Sequence, residues 1–199
     1  MTHQDPDKEK LSPFLTGQLL LAMPGMGDPR FYKAAIFLCM HDAKGAMGFV
    51  VNHTVPGIYF SDLLKQLNIE SDIIVPQNIA KKPVMSGGPV ETARGFLLHS
   101  KDFETPDTIH VDDKFGVTGT LDALQAVAKG SGPQKTIFTL GYAGWGPNQL
   151  EQEIQQNAWL TAYSTEDLLF NTPPASIWTE AVTSLGIDPG MLSMESGQA

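Results

Sequence analysis

The chain has 199 residues, a formal net charge of −9 and 42% hydrophobic residues. This composition excludes a largely disordered chain, a collagen-like chain and a disulfide scaffold, and the acidic balance argues against sequence-independent binding to nucleic-acid phosphates. The length favours one domain over residues 13–199, preceded by a flexible polar tail over residues 1–12. No secretory signal and no apolar run of roughly 20 residues is present, so we expect a cytoplasmic protein without a membrane anchor.

The first half of the chain predicts a short apolar run, two strands and a helix. A short apolar run at residues 19–22 stops at the proline- and glycine-rich loop 23–29. Residues 34–40 and 46–52 form the strands of a hairpin, and both are apolar at nearly every position, so we expect both faces to be buried. A short helix follows, with Ser61 as its N-cap.

The second half predicts a further hairpin and three helices. Residues 83–86 and 95–99 pair around a turn at Gly87-Gly88-Pro89. We then expect a helix capped by Thr120 and ended by Gly130, a strand at 135–142, a glycine-rich turn at 141–147, a helix at about 148–160 and a last helix at 174–185. Strands with interspersed helices indicate a mixed α/β domain of the α+β kind, without strict alternation.

The first hairpin contains a set of residue types that resembles a catalytic triad. A turn at residues 42–45 would place Cys39 opposite Gly48 and would put Cys39, His41 and Asn52 on one face. However, His41 and Asn52 would lie roughly 20 Å apart along the strands, whereas a hydrogen bond needs about 3 Å. A structural role is therefore favoured over a cysteine enzyme, and we expect Cys39 to be buried and unreactive.

The second hairpin contains a glycine turn and two polar side chains. Glycines can aim successive backbone N–H groups at an anion, and Ser86 with His99 as its base would suit a hydrolase. The Gly-x-Ser-x-Gly elbow is absent, because Pro83-Val84-Met85 precede Ser86. A tight turn at Gly87-Gly88 is the structural alternative.

The third glycine-rich segment, residues 141–147, precedes the helix predicted at 148–160. It matches neither a dinucleotide fingerprint nor a Walker loop, and Glu151 and Glu153 would repel an anionic ligand from the helix N-terminus. The two carboxylates point about 200° apart on a helix and form no dyad. Trp145, flanked by small residues, is predicted either to be exposed at a recognition surface or to fill a neighbouring groove.

Metal ligation is not predicted. The five histidines have no helical ligand spacing, and the single cysteine excludes a Cys-x-x-Cys pair. We therefore expect no metal and no cofactor.

Three motifs together closely resemble the AlgH/YqgE family of bacterial proteins, over nearly the whole chain beyond residue 12. The first motif runs from Leu19 to Pro24 with Asp28, Phe31, His41 and Asn52, the second contains Gly87-Gly88-Pro89-Val90 and His99, and the third contains residues 141–146 with Gln149, Glu151, Glu153 and Trp159. The resemblance implies one domain with a bifurcated, largely antiparallel sheet that partly closes into a small barrel, surrounded by helices. It also implies a role in transcriptional regulation, with no established activity, cofactor or catalytic residue.

We therefore expect a non-enzymatic regulatory protein that binds an unknown protein or small-molecule ligand, without direct nucleic-acid contact. The alternative is a hydrolase that uses polar groups near Ser86 and His99. The three motifs should gather at one side of the fold, unless their glycines serve only to let strands cross closely. The predicted surface site comprises Asp28, His41, Asn52, Gly87, Gly88, His99, Gly144, Trp145 and Gln149.

Overall fold

The computed structural model describes residues 14–69, 75–119 and 121–192. The predicted tail at 1–12 and the predicted cap Thr120 lie outside this part of the chain. The strands are β1 (Gln18–Ala22), β2 (Ala35–Asp42), β3 (Gly45–Val50), β4 (Thr54–Tyr59), β5 (Pro83–Ser86), β6 (Val90–Ser100), β7 (Ile109–His110), β8 (Phe115–Thr118), β9 (Thr136–Trp145) and β10 (Trp159–Tyr163). The helices are α1 (Phe60–Gln66), α2 (Gln77–Ala80), α3 (Leu121–Ala128), α4 (Gln149–Gln155), α5 (Glu166–Phe170) and α6 (Pro174–Ser184).

The described strands form one forked sheet, which confirms the predicted mixed, largely antiparallel α+β fold. The main path runs β10-β1-β2-β3-β9-β6-β8-β7. The fork lies at β9, whose residues 143–145 pair with β3 and whose residues 138–140 pair in parallel with β5 on the same side. Strand β6 pairs with the opposite side of β9, so β9 is the strand that connects the two halves of the sheet.

The first hairpin forms as predicted, but its register contains a bulge. His41 pairs with Ala46 as expected, whereas Gly48 pairs with Leu38 and not with Cys39. The bulge at Cys39 adds one residue to β2 and reverses the facing of the residues that follow it. Cys39 consequently packs in one core, while Ala46, the partner of His41, packs in the core on the other side. The prediction that Cys39 and His41 share a face is therefore wrong.

The second predicted hairpin is wrong, because β5 and β6 lie on opposite sides of β9 and do not pair. The chain crosses β9 at Gly87 and Gly88, which lie between β5 and β6 in the sequence. A Cβ on Gly87 would lie 2.4 Å from the carbonyl oxygen of Gly141, and one on Gly88 would lie 2.2 Å from the carbonyl carbon of Tyr142. Only glycine permits this crossing. The alternative that the glycines let strands cross closely therefore explains both Gly87 and Gly88.

The glycine-rich segment at 141–145 is strand and not turn. It extends β9 through Trp145, and the helix that follows is shorter than predicted, spanning only Gln149–Gln155. Asn157 has a left-handed backbone conformation, with φ of 57°, which ends the helix. Trp159 then begins β10, which pairs with β1 and was not predicted.

The remaining helices follow the sequence more closely. Helix α1 begins at Phe60, because the Asp62 carboxylate accepts a hydrogen bond from the N–H of Tyr59 at 3.1 Å, so the predicted cap at Ser61 is wrong. Helix α3 ends before Gly130, whose φ is 74°, and α6 spans Pro174–Ser184, both as predicted. No helix in the described part of the chain is long and apolar enough to cross a membrane.

Three hydrophobic cores stabilise the sheet. One packs α5 and α6 against one face of β1, β2 and β3, and a second packs α4 and the loop around Phe31 against the opposite face. The third lies between α1, α3 and strands β5, β6 and β9. The second core includes Trp145 and Trp159 and forms the floor of the site described next.

Candidate functional site

Residues of all three motifs meet at one cleft of about 310 Å³ on the face of the sheet covered by α4. The first motif supplies Asp28 and Phe31, the second supplies Pro89, and the third supplies Gly144 and Trp145. The cleft therefore joins residues of all three motifs, but His41, Asn52, Gly87, Gly88 and His99 of the predicted site do not line it. The remaining lining residues are Met26, Arg30, Ala143, Gln149, Glu153, Ala158 and Trp159.

Glu153 organises the aromatic floor of the cleft. One of its carboxylate oxygens accepts hydrogen bonds from the indole N–H groups of Trp145 at 2.9 Å and Trp159 at 2.7 Å. The other oxygen accepts from the amide of Gln149 at 2.9 Å. Gln149 and Glu153 are four residues apart and thus share one face of α4. Three hydrogen bonds hold this carboxylate in one position.

Three aromatic rings stand at steep angles to one another beside this carboxylate. Trp145 and Trp159 have ring centroids 6.0 Å apart with an interplanar angle of 79°, and Phe31 meets Trp159 at 5.6 Å and 73°. Edge-to-face pairs of this kind are favourable and fix both rings. Trp145 is 8% exposed, so it is packed into the fold and is not a projecting recognition residue.

An ion pair lies at the rim of the cleft. The Arg30 guanidinium donates to both oxygens of Asp28, with its terminal nitrogen 2.6 Å from Oδ2. These hydrogen bonds from Arg30 hold the pKa of Asp28 below its usual value. The positive charge of Arg30 is therefore matched by a carboxylate from its own loop.

A second cleft of about 310 Å³ adjoins the first, sharing Arg30, Phe31 and Pro89 with it. Its lining includes Gly88 and Ser86. Gly88 belongs to the predicted site and lines this neighbouring cleft, whereas Gly87 lines neither of the two.

Two other predicted site residues have structural contacts. Asn52 accepts a hydrogen bond from the N–H of Ala35 and donates to the carbonyl of Lys33, both at 2.8 Å, and so fixes the start of β2. His41 is buried; its Nδ1 accepts from the N–H of Leu15 at 3.0 Å, so its Nε2–H donates to Glu151 at 3.0 Å. Neither side chain lines the cleft.

The serine and histidine of the hydrolase hypothesis are far apart. Ser86 pairs with Leu140 on one side of β9, and His99 pairs with Thr136 on the other side. Their partners Leu140 and Thr136 are four residues, or about 13 Å, apart along β9, and the full width of β9 separates Ser86 from His99 in the perpendicular direction. His99 is fully buried and bonds to Thr118 at 3.0 Å and to the carbonyl of Ser100 at 2.9 Å. It is not in position to act as a base for Ser86.

Burial of His99 predicts a loss of stability in mild acid. Burial lowers the pKa of His99 from its ordinary value of 6.5, so the folded chain binds fewer protons than the unfolded chain as pH falls below about 6.5. The free energy of unfolding should therefore be constant above pH 7 and should fall below pH 6.5, by at most about 1.4 kcal/mol per pH unit from this group. Urea unfolding of the wild type and His99→Gln at pH 7.5 and pH 5.5 measures this contribution.

The variant serves as the control, because His53 and other groups titrate in both proteins. We expect a smaller difference between the two pH values in His99→Gln than in the wild type. Equal differences would show that His99 does not carry this pH dependence.

Cys39 is buried, as predicted, with 2% of its surface exposed. Its thiol lies 3.3 Å from the carbonyl of Met47, and burial raises its pKa to about 12. A thiol-reactive probe at pH 8 should therefore label the native protein at least about a hundredfold more slowly than the urea-unfolded protein. Comparable rates in both states would contradict the buried position.

Arg30 and Pro89 line the cleft but were not predicted as site residues, and Glu153 was predicted only as a charge near a helix end that forms no dyad with Glu151. The spacing of Gln149 and Glu153 was a usable signal, because it places both on one helix face. Among residues 14–69, 75–119 and 121–192, no group of three histidine, cysteine or acidic side chains lies close enough to hold a metal ion.

Comparison with known proteins places this fold among its relatives. A family model described as AlgH-like matches residues 19–190. A UPF0301 protein of Bradyrhizobium diazoefficiens is 49% identical over 190 residues, covering 94% of this chain and 89% of its own length. A UPF0301 protein of Rhodospirillum rubrum is 46% identical over 191 residues, covering 96% of this chain and 97% of its own length.

Two solved structures share the architecture. The solution structure of the AlgH protein from Pseudomonas aeruginosa is similar with a TM-score of 0.75 and 35% identity, and the match covers 100% of both chains. A crystal structure of a Corynebacterium diphtheriae protein matches with a TM-score of 0.68 over 92% of this chain and 90% of its own, at 16% identity, which indicates a common fold alone.

Proposed function

Because the chain belongs to the AlgH-like family, we propose that it is a non-catalytic regulatory protein of the bacterial cytoplasm, which acts by binding a ligand in the cleft built from its three motifs. The supporting observation is the convergence itself. Asp28, Pro89 and Trp145 are far apart in the sequence and line one cleft of about 310 Å³. This volume is at the lower end of the range for small-molecule sites.

The chemistry of the cleft supports binding over catalysis. Its polar side chains are engaged with one another: Asp28 with Arg30, and Glu153 with the two indoles and Gln149. Catalysis by nucleophilic attack needs a nucleophile within hydrogen-bond reach of a base. The cleft lining contains no serine, cysteine, lysine or histidine. Ser86 and His53 line the adjoining cleft, where the His53 ring donates to the carbonyl of Tyr32 at 3.0 Å. Fixed aromatic walls with satisfied polar groups are the features of a preorganised binding site.

Regulation through DNA contact is not part of this proposal. The chain has 13 lysines and arginines against 22 acidic residues. Binding to DNA depends on neutralising several phosphates at one face, which an acidic surface opposes. We therefore expect the protein to act through its ligand or a protein partner.

A gel-shift experiment with the purified protein and genomic DNA fragments tests this expectation. At physiological salt we predict no shift at micromolar protein, and any shift at low salt should disappear as salt is added. Sequence-specific binding below 1 micromolar at physiological salt would contradict the proposal of indirect regulation.

The functional proposal is tested by closing the cleft. Ala158 lines the cleft, is half-buried and packs against the same core as Trp145 and Trp159. Ala158→Leu should therefore place a larger side chain in the cleft. Ala126→Leu is the matched control, because Ala126 is also half-buried and lies in α3, outside the cleft.

The readout is the transcript profile of the source bacterium lacking this chain and complemented with each variant at equal protein levels. We expect wild type, Ala126→Leu and Ser86→Ala to restore the profile and Ala158→Leu to leave it unrestored. Full restoration by Ala158→Leu would contradict a role for the cleft, and loss of restoration by Ser86→Ala would favour the hydrolase alternative.

A further inference from the structure

The second cleft brings Ser86 and His53 together. The N–H of Ser86 donates to the carbonyl of His53 at 2.7 Å, so the two residues lie opposite each other where the chain that enters β4 pairs with β5. Directly opposed residues of antiparallel strands point to the same face, with Cβ atoms about 5 Å apart. Both residues line the second cleft. Two strand neighbours thus supply a hydroxyl and an imidazole to one cavity.

The hydrogen bond to Tyr32 determines which ring nitrogen of His53 carries the proton. Nε2 lies 3.0 Å from the carbonyl oxygen of Tyr32, which can only accept, so Nε2 is the donor of the neutral ring and Nδ1 keeps its lone pair. Burial lowers the pKa of His53 from its ordinary value of 6.5, so the neutral ring predominates at pH 7. Within the described residues, Nδ1 has no hydrogen-bond partner. His53 is therefore a base with a fixed tautomer and an available nitrogen.

Ser86 is the accessible member of this pair. It is exposed, and its hydroxyl has no hydrogen-bond partner in the part of the chain that the structure describes. The buried Ser100 and Ser164, by contrast, donate to Asp102 and to the carbonyl of Gly17. At a Cβ separation of about 5 Å, a rotamer change at Ser86 brings its hydroxyl within reach of the ring, and such contacts are often made only when substrate is bound. A neutral imidazole in this position can accept the hydroxyl proton as the oxygen attacks an electrophile.

The walls of the second cleft suit a small acyl group. Phe31, Val50 and Pro89 provide apolar surface, and no acidic side chain is among the lining residues. Arg30 lies between the two clefts with its charge matched by Asp28, so the second cleft is not built to select a strongly charged ligand. A volume of about 310 Å³ has room for an acyl group of a few carbon atoms.

From this geometry we propose that Ser86 is an acyl-acceptor site, with His53 as its base and an activated ester of a small carboxylic acid as the donor. The Ser86 oxygen forms a bond to the carbonyl carbon of the donor, and the ester C–O bond breaks. The hydroxyl proton passes to Nδ1 of His53 and from there to the departing oxygen, so the products are the acylated serine and an alcohol. This modification goes beyond the proposed function. It places an acyl group beside Arg30 and Phe31, which also line the first cleft.

The test uses p-nitrophenyl acetate as the acyl donor and the full-length protein, both folded and unfolded in urea. Acetylation of Ser86 is followed by mass spectrometry of its peptide. We expect Ser86 to be acetylated at least about tenfold faster in the folded protein, because only the folded chain holds it beside His53. Equal rates in the two states, or no acetylation of Ser86, would overturn the proposal.

Two histidine variants separate the base from general surface reactivity. His53→Gln keeps an N–H donor for the carbonyl of Tyr32 and removes the ring, whereas His110→Gln removes a histidine outside the cleft whose side chain is 49% exposed. We expect acetylation of Ser86 to slow at least about tenfold in His53→Gln and to change less than about twofold in His110→Gln. Equal rates in the wild type and His53→Gln would contradict the role of His53 as the base.

The release of p-nitrophenolate distinguishes modification from turnover. The release that is lost in Ser86→Ala should not exceed one equivalent per chain. Continued release that depends on Ser86 would show hydrolysis and would overturn the assignment of Ser86 as a modification site. The proposed function fails separately: an unreactive Ser86 leaves the first cleft standing, whereas full restoration of the transcript profile by Ala158→Leu removes the role of the first cleft and leaves the reactivity of Ser86 unaffected.

Discussion

Replacing Gly88 with alanine is expected to destabilise the fold by at least about 3 kcal/mol. The backbone at Gly88 has φ of 153°, and a Cβ there would lie 2.2 Å from the carbonyl carbon of Tyr142. The contact is with backbone, so no side-chain rotation relieves it. The chain crosses β9 at this point, and a displaced crossing disturbs the pairing of both β5 and β6. Urea unfolding monitored by circular dichroism measures the change.

Gly144→Ala is the control for this substitution, because it adds the same methyl group to the same glycine-rich region. Its Cβ would lie at an ordinary contact distance of 3.4 Å from the Tyr142 ring. We expect its free energy of unfolding to stay within about 1 kcal/mol of the wild type. A tolerated Gly88→Ala would show that the crossing is looser than described.

The second large effect is expected from Glu153→Ala. This substitution removes the acceptor of the indole N–H groups of Trp145 and Trp159, which are 8% and 3% exposed, and leaves both unsatisfied. Each unsatisfied buried donor costs about 1–3 kcal/mol, so we expect a loss of about 3 kcal/mol in the free energy of unfolding. Thermal and urea unfolding of the purified variant provide the measurement.

Glu153→Gln and Glu151→Ala are the controls for Glu153→Ala. Glutamine retains an oxygen acceptor, so Glu153→Gln should cost less than half as much as Glu153→Ala. Glu151 has 40% of its side chain exposed, and its removal should have a smaller effect than removal of Glu153. If Glu153→Ala were as stable as the wild type, the carboxylate would not be the organising group of the aromatic floor.

Local signals in the sequence predicted the elements that depend on local chemistry. Prolines and glycines marked the loop after β1, the apolar runs marked β2 and β3, and Gly130 marked the end of α3. These features follow from backbone conformations and side-chain patterns within a few residues, so one sequence contains enough information to predict them.

Long-range pairing was not predictable in the same way. The bulge at Cys39 reverses the face of His41, and nothing in the apolar run around it marks the inserted residue. The placement of β9 between β5 and β6 joins segments far apart in the chain, and a pair of glycines fits a tight turn and a strand crossing equally well. The pairing of β10 with β1 likewise depends on tertiary contacts.

The cleft was predicted in part. Of the nine residues of the predicted surface site, Asp28, Gly144, Trp145 and Gln149 line the cleft. His41, Asn52 and His99 were polar residues in the same motifs, but burial and hydrogen bonding direct them elsewhere. The role of Glu153 depends on two indoles that only the folded chain brings together.

The most direct test of the cleft as the binding site is a ¹H–¹⁵N spectrum of the labelled protein, recorded with and without a small-molecule extract of its source organism. We predict that the indole resonances of Trp145 and Trp159 and the amide resonance of Gly144 shift together, while the amide of Gly95 stays unchanged. Shifts confined to residues outside the cleft, such as the groove lined by Leu63 and Leu124, would contradict the account.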